Sequence, residues 1–267
     1  MKIILTVLIC LCVLMGCGER EYTNTRDLKS NTDAPEPVAE TKNPHITNPI
    51  VEKAIRESLE KSTGELTNAD LEKLEWLETG LRGKQLTEVK GLEKLTQLKT
   101  LYLESNQLTS VKGLEKLTQL KQLHLLYNQL TKLPKGLEKL TQLEELDLGG
   151  NQLNDVSGLE KLDQLTILGL GYNQLTEVPK GLEKFDQLTS LDLGYNQLTE
   201  VPKGLEKLTQ LENLNLEGNQ LTDVKGLVFL TQLKRLYLND NPALTKAQIA
   251  ELRKALPKCD IRSNPTK

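Results

Sequence analysis

The sequence predicts an α/β solenoid. It is a curved stack of similar coils, each giving one short strand to a parallel sheet on the concave face, with helical caps at the N- and C-terminal ends. Three observations carry this reading. A unit of 22 or 23 residues recurs in register, leucine holds the same places in every copy, and one asparagine stands at a fixed offset after each strand. Copies of GLEKLTQLKTLYLESNQLTSVK begin at Gly91, Gly113, Gly136, Gly158, Gly181 and Gly204, and a truncated copy begins at Gly226. The longer copies carry their extra residue near Pro134, Pro179 and Pro202. A fixed period of this length marks a repeat array in which each coil covers its neighbour's core.

Taken in chain order, residues 1–16 form the first element. Lys2 supplies a positive start, Ile3 to Met15 is a short apolar run, and Gly16 follows. That is the anatomy of a signal peptide, and the run is too short to span a bilayer. Leu14-Met15-Gly16-Cys17 resembles the bacterial lipobox, in which the cysteine is acylated and becomes the first residue of the mature chain. The resemblance implies lipidation of Cys17. Cys10 and Cys12 would leave with the signal, so Cys259 would remain without a disulfide partner.

Residues 17–47 are polar, contain Pro35, Pro37 and Pro44, and show no apolar periodicity. They read as a flexible tether, and about 30 such residues reach ~30 Å. Residues 48–90 read as a helical N-terminal cap and a degenerate first repeat. Asn48-Pro49 is a helix start, Ile50, Val51, Ala54, Ile55 and Leu59 recur at helical spacing, and Gly64 is the expected stop. A second short helix is expected from Thr67, with Asp70 three residues on, carrying Leu71 and Leu74. The degenerate unit at 69–90 reads Lys84-Gln85-Leu86 where later copies read Asn-Gln-Leu.

Residues 91–241 are the regular coils. In the first, Leu92, Leu95, Leu98, Leu101, Leu103, Leu108 and Val111 are expected inside, with Leu101-Tyr102-Leu103 alternating as a strand does. Asn106 and its equivalents, Asn128, Asn151, Asn173, Asn196, Asn219 and Asn241, are expected to satisfy backbone groups of adjacent coils. The convex Glu-Lys pairs, such as Glu93-Lys94 and Glu115-Lys116, alternate in sign and read as a solvated face. Residues 242–267 form a C-terminal cap. Thr245 to Gln248 is a capping box, a helix runs to about Leu256, and Cys259-Asp260-Ile261 adds an edge strand.

The pattern L-x-x-L-x-L-x-x-N-x-L is that of leucine-rich repeats. Residues 69–261 resemble the repeats of bacterial surface leucine-rich repeat proteins, including the internalin type. The resemblance implies a right-handed solenoid with 3₁₀ turns on its outer side and protein binding on its concave face. The mixture of 22- and 23-residue units departs from a uniform internalin array.

Chemistry-bearing residues are few. Composition gives 3% aromatic residues, a formal net charge of −3 and two histidines. The weak charge, mixed in sign, argues against nucleic acid as a partner. No phosphate-binding glycine loop, Cys/His cluster or nucleophile motif is present, so no catalytic residue, metal or cofactor is assigned and the chain reads as a non-enzyme. His124 lies one coil from Glu145 and Asp147, but two or three ligands without a fixed second layer make a poor metal site, and His124 reads as a contact residue.

The candidate binding surface is the outward side of the strands. Five of the six tyrosines fall there: Tyr102, Tyr127, Tyr172, Tyr195 and Tyr237. Tyrosine gives contact area and a polar tip at small rotamer cost. Concave positions also differ between copies, while core and convex positions are nearly identical. The surface comprises these tyrosines with His124, Glu145, Asp147, Asp192 and Asn215. Its acids call for a protein or peptide ligand with basic residues. The expectation is a lipid-anchored binding module in the cell envelope or at the cell surface (the outer membrane in a Gram-negative cell). A structural envelope component and a glycan-binding protein are the alternatives. The oligomeric state is left open.

Overall fold

The computed structural model describes residues 46–178 and 181–265. The signal segment, the lipidation expected at Cys17 and the tether up to residue 45 lie outside the described residues.

The chain enters through helix α1 (Pro49–Ser58). The Asn48 side chain accepts from the N–H groups of Ile50 and Val51 at 3.0 and 3.3 Å, and Pro49 occupies the first position, where no N–H is needed. Val51, Ala54 and Ile55 are buried. The helix ends at Ser58 and not at Gly64. Glu60 takes the left-handed conformation that turns the chain out, with φ 54°, and the Lys61 N–H donates back to the Arg56 carbonyl. A one-turn helix α2 (Asn68–Leu71) opens on a reciprocal capping box between Thr67 and Asp70, and Leu74 lies beyond its end.

Among the described residues, nine parallel strands follow in sequential order in one open sheet. They are β1 (Trp76–Leu77), β2 (Thr100–Tyr102), β3 (Gln122–His124), β4 (Glu145–Asp147), β5 (Ile167–Gly169), β6 (Ser190–Asp192), β7 (Asn213–Asn215), β8 (Arg235–Tyr237) and β9 (Asp260–Arg262). Their register aligns the inward residues Leu77, Leu101, Leu123, Leu146, Leu168, Leu191, Leu214, Leu236 and Ile261 in one buried row. A buried leucine contributes about 1.5–3 kcal/mol, and here the next coil completes each burial. Single-residue strand positions therefore matter: a slip by one would turn every leucine outward.

The asparagine column is a hydrogen-bond ladder. Asn128 donates to the carbonyls of Leu103 and Leu125 at 3.0 Å and accepts from the Leu108 N–H at 3.1 Å. The same pattern recurs at Asn151, Asn173, Asn196, Asn219 and Asn241. All are buried, so each amide satisfies backbone groups that water does not reach.

Short 3₁₀ turns lie between the strands. Their glutamates are not simply solvated: Glu93, Glu115, Glu160 and Glu206 accept the N–H of the glycine two residues earlier at 2.6–3.0 Å. Their sameness between copies thus has a structural cause. The contrast between constant convex and varied concave positions consequently argues less for binding than the sequence alone implies.

Helix α3 (Lys246–Ala255) carries the expected capping box from Thr245 to Gln248 and buries Ile249 and Leu252. It packs on the last 3₁₀ turn, Lys225–Phe229, while α1 packs on β1. No described helix is long and apolar enough to cross a membrane.

Candidate functional sheet face

Each strand from β2 to β8 turns its central leucine inward and the residues that follow it outward. Parallel pairing sets Tyr102, His124, Asp147, Gly169, Asp192, Asn215 and Tyr237 side by side along one row. Glu145 lies in the adjoining row on β4. Tyr127, Tyr172 and Tyr195 stand three residues past His124, Gly169 and Asp192 of the first row, immediately before the ladder asparagines. The structure therefore brings the predicted residues onto one face, although in two groups with Tyr237 apart from both. Tyr237 sits under the Arg262 guanidinium at 5.3 Å.

The second tyrosine column has a backbone property that sequence inspection does not reveal. Tyr127, Tyr172 and Tyr195 have φ of 53–54°, and Ser105 and Asp240, their equivalents in other coils, have 57° and 53°. Two further coils place Gly150 and Gly218 there. The left-handed region costs an ordinary L-residue about 1–2 kcal/mol, which is why glycine is the natural occupant. Bulky tyrosine at three such positions runs against backbone preference.

Those glycines also make room for rings. The Tyr127 ring covers Gly150 and the Tyr195 ring covers Gly218, each where a Cβ would collide with it. Tyr172 stacks on Tyr195 with centroids 4.4 Å apart and planes 11° from parallel. The aromatic strip is thus continuous from Tyr172 to Tyr195 but is broken from Tyr127 by the Gly150 coil. The Tyr195 hydroxyl donates to Glu217 Oε1 at 2.8 Å, and burial together with that carboxylate raises its pKa.

Beside the tyrosines lies an acidic, glycine-floored surface. Asp147 Oδ1 accepts the Gly149 N–H and Asp192 Oδ1 accepts the Gly194 N–H, both at 2.9 Å. Asn215 makes the same turn with the Glu217 N–H at 3.0 Å. Burial raises the pKa of Asp147, and burial with the neighbouring charge of Asp147 pushes Asp192 up to about 6.

At the other end of the face, His124 is not a freely presented contact residue. Its Nδ1 lies 3.6 Å from Glu104 Oε1 and its Nε2 lies 3.1 Å from Glu145 Oε1, the latter outside hydrogen-bonding geometry. The Tyr102 ring covers it at 4.2 Å. Burial opposes its charge, but the two carboxylates overcome this and raise its pKa to about 9. His124 is therefore an imidazolium at neutral pH. Among the described residues, no group of three or more His, Cys, Asp or Glu is arranged to hold a metal ion.

Three participants escape the sequence reading: Glu104, Trp76 and Glu217, which takes the Tyr195 hydroxyl. Glu104 is 5% exposed, and its Oε2 has no hydrogen-bond partner. The signal for it is that the central coils carry Gly149, Gly171 and Gly194 at the equivalent position. Trp76, 57% exposed, extends the face onto β1, a strand hidden in the degenerate unit.

Comparisons with known proteins agree with this architecture. The leucine rich repeat family model matches residues 163–221 and 186–242, and that for leucine rich repeats in two copies matches 96–135 and 118–161. Together these matches span more than half of the chain. A leucine-rich repeat protein of Leptospira interrogans is 35% identical with a TM-score of 0.67, over 72% of this chain and 49% of that one. The chain thus spans about half the length of that relative. Internalin C2 of Listeria monocytogenes is 26% identical with a TM-score of 0.74, over 86% of this chain and 100% of that one. No curated protein sequence matches. By its one-strand coils, its buried asparagine ladder and these matches, the chain belongs to the leucine-rich repeat family.

Proposed function

We propose that this chain is a binding module that recognises a protein or peptide through the exposed face of its sheet. The leucine-rich repeat fold commonly mediates protein–protein binding, but fold analogy alone names no site. The observation that carries the reading is the placement of Tyr127, Tyr172 and Tyr195 at left-handed positions where glycine costs less. Residues kept against backbone preference mark functional surfaces, and tyrosine is favoured in binding surfaces. The excess of carboxylates on the same face favours a basic partner. The module works without catalysis or a cofactor.

Its location follows the same reading. Export by the N-terminal segment and acylation of Cys17 would hold the module at the cell envelope, and the likeness to an internalin supports a surface position. Two or three acyl chains give stable anchoring that one does not. Capture of a ligand from envelope or host-surface extracts, by the wild type and by a Tyr127→Ser/Tyr172→Ser/Tyr195→Ser variant, tests the binding reading. The ligand is expected with the wild type only. Equal recovery by a folded variant moves the site off this face. For the anchor, a fatty-acid analogue should label the wild type and not Cys17→Ala.

A further inference from the structure

We propose that the face over β4–β6 takes one lysine or arginine side chain of its partner into a slot floored by Gly169 and Gly171 and closed by the carboxylates of Asp147 and Asp192. This deepens the binding reading above and rests on it.

The slot is defined by where the two carboxylates lean. Asp147 Oδ1 lies 2.6 Å from the point where a Cβ on Gly169 would stand, and Asp192 Oδ2 lies 2.9 Å from the corresponding point on Gly171. Both acids, from the strands on either side, thus reach over the same coil, which has no side chain at either position. Two residues on one face of an extended chain are about 6.6 Å apart. A cation making N–H···O bonds of about 2.8 Å on each side fits that span.

Charge names the occupant. Among the described residues of coils β2–β7 on this face, Glu104, Glu145, Asp147, Asp192 and Glu217 stand against the imidazolium of His124, which Glu104 and Glu145 already flank, while Arg235 and Arg262 lie at the far end on β8 and β9. Among the described residues no lysine or arginine pairs with Asp147 or Asp192. Each aspartate accepts one backbone N–H at Oδ1 and Asp192 also takes the Asn215 side chain; a carboxylate has about four acceptor sites, so both keep capacity for an outside donor. The Asp192 charge opposes those of Asp147 and Glu217, so a bound cation relieves a repulsion present in the free protein. The charges of both aspartates reach Tyr127 and that of Asp192 reaches Tyr172, so the phenols share the electrostatic surroundings of the slot. Farther along the same face, beside His124, Glu104 Oε2 on a nearly fully buried side chain is an acceptor without a donor, which adds to the unbalanced negative charge of the face. A divalent ion is a poorer occupant, because no three ligands converge.

The test uses the full chain and an array of random-sequence peptides. Peptides bound by the wild type are resynthesised with each lysine replaced by acetyl-lysine and each arginine by citrulline, and their affinities are measured. Selected peptides should contain a basic residue whose neutral replacement weakens binding at least tenfold. Asp147→Asn/Asp192→Asn should cause a similar loss, and added salt should weaken the wild type more than this variant. Asp147→Lys/Asp192→Lys should restore affinity for the peptide carrying glutamate at that residue. The proposal is overturned if the neutral peptide binds as well as the charged one, or if the wild type and the asparagine variant bind the same peptides or none. Peptides lost by the triple tyrosine variant, yet indifferent to the aspartates, would keep the face as a binding surface and remove the slot.

Discussion

Tyr172 and Tyr195 stack face to face across adjacent coils, 4.4 Å between ring centroids, although each stands on left-handed backbone. Such a stack contributes about 0.5–1.5 kcal/mol, comparable with what one left-handed tyrosine costs. For these two residues packing offsets backbone strain. Tyr127 has the same backbone, and its ring lies over Gly150 with no stacked ring beside it.

Tyr127→Gly should therefore leave stability unchanged or raise it by up to about 1 kcal/mol, since glycine relieves the left-handed strain at some cost in unfolded-state entropy. Urea denaturation measures it. A loss above about 1 kcal/mol would make the Tyr127 ring a structural support instead of a binding group.

The repeat core responds in the opposite way. Leu148, fully buried in a central coil, should cost about 2–5 kcal/mol as Leu148→Ala, whereas Lys139→Ala on the exposed turn should cost little. Comparable thermal shifts for the two would contradict the register.

The ladder gives a larger effect per atom than its polarity suggests. Asn151→Ala leaves the Leu130 N–H and the carbonyls of Leu125 and Leu148 without this partner. The two carbonyls keep Asn128 and Asn173 as donors, so the Leu130 N–H is the group left unsatisfied, and at about 1–3 kcal/mol for such a group the loss should be of that size. A loss below 1 kcal/mol in calorimetry would show that the amide is dispensable.

Two groups on the face give substitution effects of opposite sign, each changing in its own pH window. The His124 pKa is raised to about 9, so its contribution is complete below about 6.5 and fades as the pH rises through 9. His124→Gln should thus destabilise by about 1–3 kcal/mol near pH 6 and by much less at pH 10. Asp192, raised to about 6, favours the fold while protonated, below about 3.8, and that contribution is lost as the pH rises through 6. Asp192→Asn should therefore stabilise by about 1 kcal/mol at pH 7.5 and have little effect at pH 3.5. Chemical denaturation across pH separates the two. A His124→Gln effect that does not change between pH 6 and 10, or an Asp192→Asn effect that does not change between pH 3.5 and 7.5, would contradict these environments.

The fold was legible because the constraint repeats. Leu101 and its equivalents, and Asn106 and its equivalents, hold one register through every coil, and any one copy predicts the others. Where the repeat decays, legibility decays with it: β1 is hidden in the degenerate unit, and the end of α1 depends on Glu60, whose left-handed turn carries no glycine to announce it. On the face, the rows of Tyr102 and Tyr127 follow from counting. Side-chain lean does not. Glu104 closing on His124, Tyr127 covering Gly150 and two aspartates meeting over one glycine coil are contacts between coils about 22 residues apart, and they depend on which side chain each neighbour lacks.

The central claim, that a partner docks on the sheet face, is tested most directly by hydroxyl-radical footprinting of the full chain with and without the captured ligand. Tyr195 on that face and Phe229 in the last 3₁₀ turn are both accessible in the free protein, at 36% and 63% exposure, and serve as opposed reporters. Bound ligand should lower oxidation of Tyr127, Tyr172 and Tyr195 and leave Phe229 unchanged. Protection of Phe229 with the three tyrosines oxidised as in the free protein would place the partner on the opposite side and contradict the account.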